Sequence, residues 1–402
     1  RQGILTPVSK LAIDGGKPVR SRKNFLVFGA PQIGSEEIAG VVDSLRRRWV
    51  GTGPKVSEFE QAFARYKGSS HAVAVNSCTA ALHLSILSLG IGPGDEVITT
   101  GMTFCATVNA ILHAGATPVL ADCDPRTLNL DPNQVARKIT KRTKAILPVH
   151  FAGLPCDMNA LMKLAKAHRL HVIEDCAHAI ETEYRGRKAG TFGALGCFSF
   201  YATKNLTTAE GGMVLAKNEA LADKLKRLAL HGMSKDAWKR YSDSGYLHYD
   251  VVDLGYKYNM TDLQAAIGLP QLRRLEKNWK RRRSLWKKYQ EAFADLPVDF
   301  PAEPLSHERH AYHLYTPLVR KDSKRSRDQV LAALTAENIG VGVHYRALCD
   351  HPYYRTTLGW KRKDVPVAAG IGDGTISLPL SPALSDRDVD DVIAAFRKVM
   401  GK

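Results

Sequence analysis

No stretch of this 402-residue sequence reaches the ~18 unbroken apolar residues that a membrane-spanning helix requires. Its most apolar region, residues 71–90, is interrupted by Asn76, Ser77, Thr79 and His83. The chain opens with Arg1-Gln2-Gly3 and lacks the apolar core of a secretory leader, so a cytoplasmic protein is expected. Paired cysteines are also missing. The seven cysteines, at 78, 105, 123, 156, 176, 197 and 349, form no C-x-x-C motif and are odd in number. That argues against a disulfide framework and a zinc site, and for buried reduced thiols. Neither internal repeats nor low-complexity tracts are present. Acidic residues are the minority, 40 against 57 basic, which leaves a net charge of +17.

What remains is the composition of a folded protein, 44% hydrophobic and 24% charged. The length suits a large domain plus a smaller one. A basic surface attracts anions at long range. The basic clusters Arg46-Arg47-Arg48, Lys280 to Arg283 and Arg320 to Arg327 are dispersed, and the second is expected on an exposed helix. No helix-turn-helix, zinc-finger or RNA-binding signature accompanies them, so nucleic acid is not an expected partner.

From residue 71 to about 216, short β-branched runs alternate with helical stretches. Strands are expected at 71–75, 96–99, 117–121, 145–149, 171–174, 197–200 and 212–216. Helices are expected at 79–89, 104–113 and 158–168. This alternation implies an α/β fold with parallel strands joined by crossovers. In such sheets ligands gather at the carboxyl ends of strands. A basic helical stretch, 262–295, leads to a second unit containing a strand at 313–318 and helices at 327–337 and 386–400. Domains are thus expected at 1–265, with an N-terminal segment 1–35, and at 266–402.

Three features stand at strand ends. Asn76-Ser77-Cys78-Thr79 opens a helix, where hydroxyls and free N–H groups suit a phosphate, or serve only as a cap. Glu174-Asp175 ends an apolar strand, and alternation sends the two side chains to opposite faces, so one of them can meet a given ligand. Lys204 follows the apolar run 198–203 and precedes Gly211-Gly212. A lysine in a partly desolvated site loses its proton more readily and can form a Schiff base. Anion site, carboxylate and amine together are what pyridoxal phosphate needs.

Seven ordered blocks carry a resemblance: WVGTGPKVSEFEQAFA at 49–64, AVNSCTAALH at 74–83, GDEVITTGMTFCATVNAI at 94–111, ILPVHFAG at 146–153, IEDCAHAI at 173–180, FSFYATKNLTTAEGG at 198–212 and GYKYNMTDLQAAIG at 255–268. The sequence resembles the DegT/StrS sugar-nucleotide aminotransferases of pyridoxal-phosphate fold-type I, from about Phe28 to Pro382. The resemblance implies a large domain with a mixed, mostly parallel seven-stranded sheet sandwiched by helices, plus a smaller α/β C-terminal domain. It assigns Lys204 to holding the cofactor and shuttling protons, and Asp175 to the pyridine nitrogen. His178 is placed beside the cofactor's phenolic oxygen and Phe104 on its ring face. Ser77, Cys78 and Thr79 form the phosphate loop, with Ser199 as a further contact. Asn259 reaches the phosphate of a partner subunit in a homodimer. Thr52, Gly53 and Pro54, and His344, Tyr345 and Arg346, lie near the sugar nucleotide.

Within the family the sequence is most similar to enzymes that aminate carbon 4 of a UDP-linked keto-sugar, among them the 4-amino-arabinose aminotransferases of lipid A modification. L-Glutamate is the implied donor. Dehydratases of this fold carry His where Lys204 stands, which favours transamination here. The competing readings are a dehydratase or aminocyclitol aminotransferase on the same cofactor, and a regulator with a vestigial fold, for which only the basic charge speaks.

Overall fold

The computed structural model of the chain describes residues 10–234 and 248–401; the opening tripeptide Arg1-Gln2-Gly3 lies outside them. Among the described residues, the first half runs α1 (Ser35–Arg46), α2 (Pro54–Lys67), β1 (His71–Val75), α3 (Cys78–Ser88), β2 (Glu96–Thr100), α4 (Cys105–His113), β3 (Thr117–Ala121), α5 (Pro132–Lys138), β4 (Thr143–Leu147), α6 (Met158–His168) and β5 (His171–Asp175). There follow β6 (Glu183–Tyr184), β7 (Arg187–Lys188), β8 (Leu195–Ser199), β9 (Gly212–Ala216), α7 (Glu219–Ala229), α8 (Asp262–Arg273) and α9 (Leu275–Ala292). The C-terminal part holds β10 (Val298–Asp299), β11 (Glu308–Arg309), β12 (Leu318–Val319), α10 (Arg327–Ala336), α11 (Pro352–Thr357), α12 (Pro366–Gly374) and α13 (Asp386–Met400).

Seven strands form one sheet in the order β1-β9-β8-β5-β4-β2-β3. All neighbours pair in parallel except β9, which is antiparallel to both β8 and β1. The connections β1–β2, β2–β3, β3–β4 and β4–β5 run through α3, α4, α5 and α6, while the parallel step from β5 to β8 is made by the segment 176–194, which carries the β6–β7 hairpin and no helix. The loop 200–211 alone joins β8 and β9, and a short return can only reverse direction. Strand alternation builds the two faces. Val73, Val75, Ile173, Cys197 and Val214 join one core with α3, α4 and α7. Ala72, Ala74, Phe198, Met213 and Leu215 join another with α2 and α8. This is the helix-covered α/β sandwich that the resemblance implied.

Two strand boundaries differ from expectation for a physical reason. β4 ends at Leu147, not Val149, because Pro148 has no N–H for the ladder. The run 313–318 forms no continuous strand: Tyr315 makes a single bridge to Leu378, Pro317 interrupts the run, and only Leu318 enters a strand, β12, where it pairs with Asp299. The basic run on α9 is corrected too. Arg282 is buried, not a solvated surface charge, and donates to the Leu380 carbonyl at 2.7 Å. It shares a face with buried Leu275, Asn278, Leu285, Trp286 and Tyr289, a helical spacing legible in the sequence.

The strand leading to Lys204 is anchored by rings. Phe198 and Phe200 meet Phe63 of α2 at 5.0 and 5.4 Å, and Phe200 meets Phe59 at 5.3 Å. Each such pair is worth about 0.5–1.5 kcal/mol beyond its buried area. The C-terminal core is centred on Trp286, Tyr289, Phe293, Tyr315 and Phe396, and it also takes in Leu11 and Leu26 from the start of the chain.

Candidate active site

The carboxyl ends of β1, β2, β5 and β8 and the beginning of β9 converge on one sheet edge, as the register Val75–Gly212–Ser199 shows. At the end of β1, Ser77 caps α3, its hydroxyl accepting the Ala80 N–H at 3.1 Å. The N–H groups of Cys78 and Thr79, the first two of the helix, have no intrahelical acceptor. Gly212 packs directly beneath this turn: a Cβ there would lie 2.6 Å from the Ser77 carbonyl. The result is a helix N-terminus that suits an anion.

At the end of β5, alternation separates the two acids as expected. Glu174 points away from the edge, and its carboxylate accepts N–H groups from Gly190, Phe192 and Gly193 at 2.7–2.8 Å and faces the His150 Nε2 at 3.1 Å. Burial would raise its pKa, but these bonds outweigh burial and hold it below the usual value. Asp175 points to the edge. It accepts from Thr107 Oγ1 at 2.8 Å and from the Ala177 N–H at 3.0 Å. Burial raises its pKa in spite of both bonds, so its charge would gain from a cationic partner.

Lys204 sits in the loop after β8, its N–H closing a turn onto Tyr201 at 2.9 Å. The side chain lines the cavity and keeps partial exposure, yet protein surrounds it. That burial lowers its pKa to about 8, with Cys78 and Asp175 acting in the opposite direction. Its Nζ has no hydrogen-bond partner among the described residues. His178 is buried, and burial with the nearby Lys204 charge keeps it neutral well below its ordinary pKa. Its Nδ1 accepts the Ala152 N–H at 3.2 Å, so Nε2 carries the proton toward the Tyr345 hydroxyl at 3.0 Å. The rings of His178 and Tyr345 are stacked at 6.0 Å.

These groups line one cavity of about 590 Å³, the size of a small-molecule site. Ser77, Cys78, Thr79, Asp175, His178, Ser199 and Lys204 all face it, as do Phe104, His344 and Tyr345. Phe104, at the N-cap of α4, is 57% exposed. Not every expected residue is gathered here. Thr52, Gly53, Pro54 and Asn259 line a separate cavity of about 430 Å³ in the same chain, where the Asn259 amide donates to the Thr52 hydroxyl at 2.7 Å. Arg346 is exposed and outside the lining. A third cavity, about 580 Å³, lies at the opposite end of the sheet, where two of the three lining lysines are spent on carbonyls: Lys67 on Ile180 and Lys188 on Tyr66.

The residues fit pyridoxal phosphate. A phosphate matches the two uncommitted N–H groups, a pyridinium supplies the cation that buried Asp175 lacks, and an aldehyde meets an amine of lowered pKa. The fit to a metal is poor. Among the described residues His150, Glu174 and Cys176 cluster, but burial keeps the Cys176 thiol protonated and Glu174 is already bound four ways. Sequence reasoning missed Thr107, Glu181, Asn205 and His313. Asn205 adjoins Lys204 in the ATKN block, which was the available signal; the others lie far away in sequence.

Comparison with known proteins agrees with this geometry. The sequence pattern of the DegT/DnrJ/EryC1/StrS aminotransferase family matches residues 31–397. The chain is 50% identical over 388 residues to the spore coat polysaccharide biosynthesis protein SpsC of Bacillus subtilis, covering 95% of this chain and 99% of that one. It superposes on the PLP form of Spr1654, a candidate sugar aminotransferase of Streptococcus pneumoniae, with TM-score 0.86 and 34% identity over 93% of this chain and 98% of that one. Helicobacter pylori PseC, an aminotransferase involved in the biosynthesis of pseudoaminic acid, superposes with TM-score 0.87 and 28% identity over 94% and 99% of the two chains.

Proposed function

Because this chain belongs to the DegT/DnrJ/EryC1/StrS aminotransferase family and is therefore a pyridoxal-phosphate-dependent enzyme, we propose that it transfers an amino group from L-glutamate to the ketone of a nucleotide-linked keto-sugar. A UDP-linked 4-keto-sugar is the substrate of this reading. The observation that carries it is Lys204, an amine of lowered pKa, sharing one cavity with buried Asp175 beneath an anion-binding helix N-terminus.

When bound, the cofactor supplies an aldehyde to carry the amine and a ring that accepts electrons. The chain's own residues do the rest. The Cys78 and Thr79 N–H groups, with Ser77 and Ser199, would hold the phosphate. Asp175, fixed by Thr107, would keep a proton on the ring nitrogen. Lys204 would take and return the substrate proton as general base and acid. Neutral His178, held by Ala152 and Tyr345, presents its ring to the same space, which Phe104 and Tyr345 also line. His344, Tyr345 and Arg346 would contact the sugar nucleotide, and net positive charge favours a diphosphate's approach.

A homodimer belongs to this reading. Asn259, Thr52 and Gly53 lie outside their own chain's Lys204 cavity and beside exposed Trp49, which suits a role in a partner's site. So does the division into a cofactor-bearing unit, 1–265, and a smaller one, 266–402. Among the described residues no helix is long and apolar enough to cross a membrane.

The test is a panel of UDP-, GDP- and dTDP-keto-sugars with glutamate, read by mass spectrometry. Gain of an amine with UDP-4-keto-sugars supports the reading; loss of oxygen without amine gain refutes it. Lys204→Ala should abolish turnover, and normal turnover in that variant would remove the lysine from its role.

A further inference from the structure

Three segments far apart in sequence meet behind Lys204 on a single side chain. Asn205 is buried, and its Nδ2 lies 3.0 Å from each Glu181 oxygen and 3.0 Å from the Ala311 carbonyl. Its Oδ1 lies 3.0 Å from the Nδ1 of buried His313. The His313 ring packs on His178 with centroids 4.5 Å apart and planes tilted by 37°. Gly153 permits this closeness: a Cβ on it would meet the Ala311 Cβ at 2.7 Å and the His178 carbonyl at 2.8 Å. Backbone bonds Ala311 N–H to Gly153 and His313 N–H to Ala152, at 2.9 and 3.1 Å, lock the 311–313 segment against the same loop.

We propose that Asn205, oriented by Glu181, is a positioning residue for the transamination: one amide fixes the Lys204 loop and, through His313, the ring of His178. The inference rests on the reading of Lys204 as the cofactor-bearing lysine.

The donor count gives the amide a single orientation. Its two N–H hydrogens serve the Glu181 carboxylate and the Ala311 carbonyl, and its oxygen accepts from His313. Flipped, the oxygen would face two acceptors and the NH₂ group would face an N–H. Glu181 therefore sets the amide, and the amide sets the His313 tautomer, with the proton on Nδ1. Burial keeps His313 neutral, well below its ordinary pKa, so the tautomer is the variable the network controls. Glu181 is fully buried, and no cation touches it among the described residues; Arg282 and Arg309 act only through space. A carboxyl buried with an amide as its one side-chain partner is costly unless its contact is used.

The test compares Asn205→Ala, Glu181→Leu and Glu181→Gln with the unaltered enzyme. Nitrogen-15 NMR of the cofactor-free protein should show His313 protonated on Nδ1, and this preference should vanish in Asn205→Ala. In the holoenzyme, Asn205→Ala should lower kcat at least tenfold with KM for both substrates within about twofold, and shift the pH midpoint of the lysine-bound cofactor's absorption. Glu181→Gln, whose amide oxygen still accepts from Asn205, should keep the tautomer and the midpoint where Glu181→Leu loses them. If Asn205→Ala folds with its tautomer, midpoint and kcat unchanged, or loses activity only in proportion to protein lost, the inference fails. Should Glu181→Leu not fold, the Asn205→Ala and Glu181→Gln measurements decide alone. The tautomer readout involves no cofactor, so failure of the Lys204 reading, seen as an intact absorption band in Lys204→Ala, is distinguishable from failure of this one.

Discussion

In the cofactor-free chain Lys204 carries a charge into surroundings that disfavour it, and removing that charge should stabilise the fold. Burial lowers its pKa from 10.5 to about 8. Between those two values the unfolded chain holds a proton that the folded chain has released. Stability therefore rises with pH through the window from about 8 to 10.5, and below 8 the penalty is present in full. A fall of about 2.5 in pKa, at about 1.4 kcal/mol per pH unit, is about 3 kcal/mol. The side chain lines an open cavity that admits water, which reduces the figure to about 2 kcal/mol. Lys204→Met keeps the length and apolar stem and discards the charge. Urea unfolding of both cofactor-free proteins, at one protein concentration, should show the variant more stable by about 2 kcal/mol at pH 7. The advantage should shrink to nearly nothing by pH 10.5. A variant no more stable at pH 7, or an advantage equal at both pH values, would refute the claim that burial is what prepares this amine for imine chemistry.

Asp175→Asn removes the charge that would retain the ring-nitrogen proton, and kcat should fall by about 10²–10³, as for loss of one preorganised electrostatic group; steady-state rates check it, and a loss below fivefold would contradict the assignment. Gly212→Ala places a methyl 2.6 Å from the Ser77 carbonyl, so cofactor affinity should drop at least tenfold in a spectroscopic titration. Glu174→Gln leaves some of three N–H groups and the His150 contact unmatched, and should cost about 2–3 kcal/mol of stability by chemical unfolding while cofactor absorption persists.

The sequence by itself determined where chemistry could stand. Short strand-forming runs place Ser77, Asp175, Ser199 and Lys204 at strand ends, and the period of two separates Glu174 from Asp175. These are local facts, set by residues within one element. Only the tertiary structure decided what meets across elements. Asn205 touches Glu181 and His313 because the sheet edge, the 150–153 loop and the 311–313 segment close on one another. Neither spacing nor hydropathy encodes that closure, since it depends on packing between residues 24 positions apart at Glu181 and 108 apart at His313. The same reason explains why Thr52 and Asn259 share a cavity apart from Lys204. The burial of Arg282 is the opposite case: the helical spacing of the apolar residues on α9 carries it, although the run reads as basic surface. Local pattern fixes a side chain's direction, and long-range packing fixes its company.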